Sequence, residues 1–103
     1  MDYVENVKKY ESDPNEDAIE ALVAHLGIAL QSKDGMMVAA SDPDELAKIR
    51  DNFCSRTLDL SKEEADAAIE KVCARMKGDT AKTRVTFYYL LAVESNTMHR
   101  LAG

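Results

Sequence analysis

Apolar residues recur along this chain every three to four positions and almost never in strict alternation. That rhythm predicts helices. Tyr3, Val4, Val7 and Tyr10 mark a short amphipathic helix at the start. In "ESDPNE", Asp13 is expected as the N-cap of a second helix, with Pro14 at the first helical position and Glu16 at the third. This helix is expected to run to about Ser32, with Ile19, Leu22, Val23, Leu26 and Leu30 on one face and Ile28 on the other, beside Ala21 and Ala24.

"SKDG" ends that helix, and "MMVAA" is expected as one or two helical turns. "SDPDE" then repeats the capping device, with Asp42 as cap and Pro43 first. Leu46, Ile49 and Phe53 form the stripe of this helix, with Cys54 at its margin. "SDPNE" and "SDPDE" are alike, but the apolar positions after them are out of phase, so they do not form an internal repeat. Ser61 and Glu64 make a further capping box for a helix carrying Ala65, Ile69, Val72 and Met76, with Cys73 at the edge. Gly78 sits where a left-handed helix end is expected, and Asp79 or Thr80 is expected to open the last helix.

That last helix contains "RVTFYYLLAV", Arg84 to Val93. Its residues favour strands locally, yet the chain offers no second convincing strand to pair with it. Wound as a helix, it sets Val85, Tyr88, Tyr89 and Ala92 on one side and Phe87, Leu90 and Leu91 on the other. A helix apolar all round is a buried one. The expected architecture is therefore all-α: a bundle of four main helices plus one or two short ones, with the last helix central. Residues 1–103 are expected to form one domain, with 94–103 as a loose tail.

Four quoted strings, "MDYVENVKKY", "HLGIAL", "SDPDELAKIRDNF" and "RVTFYYLLAV", resemble in this order a small bacterial family catalogued only as a domain of unknown function. The resemblance covers the chain to about Val93. It implies a compact all-helical bacterial protein without an established activity, and it brings no catalytic residues to carry over.

Composition narrows the class further. At 46% hydrophobic and 31% charged, the chain falls among folded domains and not among disordered ones. The start, "MDYVENVKKY", is acidic and lacks the apolar core of a secretory signal, and no stretch approaches a membrane span, so a cytoplasmic location is expected. Cys54 and Cys73 have no zinc or redox spacing and are read as small buried hydrophobes. The net charge of -6 argues against a broad nucleic-acid or membrane surface. The charge is uneven, with 16 acids and 7 bases in residues 1–66 and 3 acids and 6 bases in residues 67–103.

Candidate chemistry is sparse. Asp13, Asn15 and Asp17 open like a calcium loop, but Ala18 and Ala24 replace its glycine and its bidentate glutamate, so helix capping is the better reading. His25 lies at the flank of a buried stripe, His99 in the tail, and neither has a nucleophile motif nearby. No catalytic residue, metal or cofactor is assigned. Lys71, Arg75, Lys77, Lys82 and Arg84 form a basic corner that could contact a small anion or a nucleic acid; pairing with acids elsewhere in the fold is the preferred account.

The leading functional expectation is a non-catalytic interaction or regulatory module that self-associates as a homodimer. Its candidate interface is Ile28 with Phe87, Leu90 and Leu91.

Overall fold

The computed structural model describes residues 2–102. Its helices start where short side chains can satisfy free backbone N–H groups. Asp2 accepts the Glu5 N–H at 3.1 Å and opens α1, Tyr3–Lys8. Asp42 caps α4, Pro43–Ile49, with Pro43 in the first turn, as the sequence predicts. Ser61 and Glu64 form the expected reciprocal box at the head of α5, Lys62–Arg75. Such a cap is worth about 1 kcal/mol.

The second helix departs from expectation at both ends. Helix α2 spans Glu16–Leu26, and its cap is Asn15, not Asp13. The cause is remote in sequence: Asn15 donates its backbone N–H to the Tyr89 hydroxyl at 2.7 Å, which fixes the chain in an extended conformation there. Pro14 therefore precedes the cap. At the other end the helix stops before Ser32, because Gly27 has a φ of 43°, a conformation that L side chains rarely adopt. A 3₁₀ segment, Gly27–Gln31, follows.

Ser32 then caps α3, Lys33–Met36. This single turn lies so close to the 3₁₀ segment that a Cβ on Gly35 would sit 1.7 Å from the Ala29 carbonyl oxygen. "MMVAA" does not form the expected one or two helical turns of its own; only Met36 is helical, as the last residue of α3. Met37 is extended and pairs with Thr83 in an antiparallel bridge, and Val38 donates to the Lys82 carbonyl at 2.8 Å. The same bridge keeps Thr83 extended, so the last long helix, α6, begins at Arg84 and not at Asp79 or Thr80. Gly78 does not take the expected left-handed conformation; among the described residues only Asp59, Asn96 and Gly27 have positive φ.

Beyond Ile49 the chain widens into π-helical winding over Arg50–Thr57, closed by Leu58 donating to Phe53. Phe53 and Cys54 are buried within it. The Phe53 ring stacks on Tyr88 with centroids 4.2 Å apart.

Helix α6, Arg84–Glu94, is the axis of the molecule. Every residue from Val85 to Ala92 is buried. It packs against α1, α2, α3 and α5. Within that run the wholly buried Thr86 hydrogen-bonds to Asn6 of α1. After Glu94 the chain returns through α7, His99–Ala102, which packs on α2, and Met98 and Leu101 lie against the core. The fold is all-α, with no strand among the described residues beyond the single bridge.

Candidate functional site

Helix α1 has six residues and is therefore about 9 Å long, while the eleven residues of α2 span about 16 Å. The shorter helix turns Val7 into the core and rests on α6. It cannot also cover the full flank of α2. A groove of about 640 Å³ remains between them, floored by Tyr3 and Val4 from α1 and by Ile19, Val23 and Ala24 from α2. Asp2 and Glu20 stand at its rim.

The surroundings are strongly acidic. Residues 2–26 carry seven carboxylates against two lysines. Lys8 is engaged by Glu5 at 3.3 Å, and Lys9 lies 3.8 Å from Asp79. An apolar floor inside a negative frame can hold apolar groups by burial while attracting cations from a distance. Among the described residues no group of three or more His, Cys, Asp or Glu could hold a metal ion. The calcium-like Asp13, Asn15 and Asp17 do not form a loop, since Asn15 is a helix cap.

The structure distributes the basic corner among separate anchors. Arg75 donates to Glu94 at 3.0 Å, Glu11 at 3.1 Å and the Tyr10 carbonyl at 2.8 Å, tying the end of α5 to α6 and to the segment that follows α1. Arg84 reaches the other way. It donates to the carbonyls of Gly35 and Met37 at 2.6 and 2.9 Å, to Glu45 at 2.6 Å and to the Tyr88 hydroxyl at 3.0 Å. Burial works against its charge, but Glu45 and Tyr88 outweigh that, and its pKa is held above the usual guanidinium value. Lys82 donates to the Asp79 carbonyl at 2.8 Å. Lys71 lies by a hollow of about 230 Å³ that also exposes Glu94, and Lys77 is exposed. The two arginines among these five residues are thus structural clamps, Arg75 held by Glu11 and Glu94 and Arg84 by Glu45.

The expected interface also divides. Phe87, Leu90 and Leu91 are wholly buried inside one chain, so they offer no surface to a partner. The wrapping is internal because α1, α2, α3 and α5 together enclose both sides of α6. Ile28, just past the end of α2, is 82% exposed and is the exposed large hydrophobic side chain among the described residues.

Neither cysteine is poised for chemistry. Burial pushes the Cys54 thiol up to about 12 and raises that of Cys73, so little thiolate forms near neutral pH. His25 is exposed, with its ring 6.1 Å from that of Phe53, and His99 is exposed on α7.

The groove was not among the sequence-predicted sites. Its signals were present: Tyr3 and Val4 on a very short helix, Val23 and Ala24 on the flank of the next, and acids crowded around both. No described helix is long and apolar enough to cross a membrane. The sequence model of one family, described as Protein of unknown function (DUF2853), matches residues 2–99, slightly more of the chain than its resemblance strings reach. No curated protein matches the chain.

Proposed function

We propose that this chain, which belongs to the DUF2853 family, is a non-catalytic single-domain interaction module that receives apolar groups of a partner in the α1–α2 groove. The carrying observation is the groove itself, about 640 Å³ and lined mostly by apolar side chains. A concavity of this size suits a ligand or the side chains of a docked segment. No constellation for acid–base or nucleophilic work accompanies it.

A neutral apolar dye tests this without involving charge. Nile red added to the isotope-labelled chain should brighten and shift the amide resonances of Val4, Ile19 and Val23, and Val23→Asp should abolish both effects while leaving the helical circular dichroism intact. Shifts gathered anywhere else would refute the groove reading.

Self-association is a second reading, favoured by Ile28, whose side chain stands in solvent at 82% exposure. A single isoleucine is a small anchor, since stable interfaces bury roughly 800 Å² per partner. Light scattering on the eluting peak of a sizing column decides it: a dimer mass that Ile28→Lys returns to the monomer supports the reading, and a monomer at high concentration removes it.

A further inference from the structure

We infer that the occupant of the groove is a basic amphipathic helix of a partner protein, one that lays its apolar stripe on Tyr3, Val4 and Val23 and sets lysines or arginines against the rim. The inference rests on the groove reading and adds the chemical class of the partner. Three observations lead to it.

The first is shape. The floor lies between two helices, and the longer wall, α2, runs about 16 Å, or three turns. A helix docking along it presents side chains at i, i+3, i+4 and i+7, the spacing by which a helix fills a groove.

The second is charge. Residues 2–26 hold seven of the chain's 19 acids and only two of its 13 Lys and Arg residues; Asp2 and Glu20 line the groove itself, while Glu5 is paired with Lys8 and Glu11 with Arg75. Both lysines lie close to carboxylates. Asp2, Glu5, Glu16, Asp17 and Glu20 are all exposed. A cationic segment is drawn to such a surface, and an acidic one is repelled.

The third is what the charge excludes. A second copy placed groove to groove would bring like-charged rims together, at a cost that rises as salt is removed. An anionic membrane is repelled for the same reason. Of the classes that carry an apolar stripe, a basic helix is the one whose charge fits.

The experiment titrates the full chain, followed by amide resonances, with a leucine/lysine peptide of about 12 residues and its leucine/glutamate counterpart. Leucines occupy the same helical stripe in both. The lysine peptide should shift the resonances of Val4, Ile19 and Val23, and the glutamate peptide should bind at least about tenfold more weakly. Raising salt from about 50 to about 300 mM should weaken the lysine peptide several-fold. Glu20→Lys, a substitution at an exposed position, should weaken it as well while leaving the melting midpoint in place.

Equal binding of the two peptides, or shifts away from the groove, overturns the inference. So does a dimer that strengthens with salt and moves the same resonances, since the occupant is then a second copy. If Nile red binds the groove and neither peptide does, the basic partner is wrong and the groove reading stands. If nothing binds there, both are wrong.

Discussion

Replacing Arg84 with methionine should lower folding stability by about 3 to 5 kcal/mol. The side chain is only 12% exposed, and Glu45 beside it is 21% exposed. Methionine restores most of the volume, so the loss isolates the polar contacts. It strands a carboxylate together with the Gly35 and Met37 carbonyls, each of which is costly to leave without its donor. Urea denaturation followed by circular dichroism measures it. Arg84→Lys should recover less than half, because one ammonium cannot serve four acceptors spread around a planar fork. A loss below about 1 kcal/mol would mean that Arg84 behaves as a surface pair, contrary to its burial.

Phe87→Ala should cost a similar amount, about 3 to 5 kcal/mol, the range for removing a buried ring whose surroundings relax only in part. The more telling readout is its dependence on protein concentration. Phe87, Leu90 and Leu91 are enclosed by the chain's own helices, so the melting midpoint of both proteins should be unchanged across a hundredfold dilution, on the order allowed by optical detection. If α6 were instead sealed by a second subunit, dilution would lower the midpoint of the parent chain, and the alanine variant would fall apart first.

These two residues also show what the sequence could reveal. The all-round apolarity of residues 85–92 was enough to identify the buried central helix, because no exposed helix tolerates that pattern. The pattern could not say whose atoms cover Phe87 and Leu91, since burial by self and burial by partner require the same side chains. Caps followed the same division. Asp42 with Pro43, and Ser61 with Glu64, were legible because donor and acceptor lie within three residues of each other. The start of α2 was misplaced because the group that fixes Asn15 is a tyrosine hydroxyl 74 residues away. "MMVAA" failed likewise, since its extended form depends on Thr83 and Lys82.

Proximity in sequence groups Arg84 with its basic neighbours, and the structure gives it to Gly35, Met37 and Glu45 instead. The groove escaped notice for a related reason. A concavity belongs to two elements at once, and only its acidic frame leaves a mark on either one alone.

The bonds that α6 sends out all point upstream, to Asn6, Asn15, Gly35, Met37 and Glu45. During synthesis the ribosome therefore delivers the keystone after the stones it must lock. Until residue 94 has cleared the exit tunnel, the preceding helices have no common wall to close upon, and their apolar faces stay open to chaperones or to one another. Closure of the core around α6 is thus expected as a late event, after the contacts that α4, the π-helical segment and α5 make among themselves.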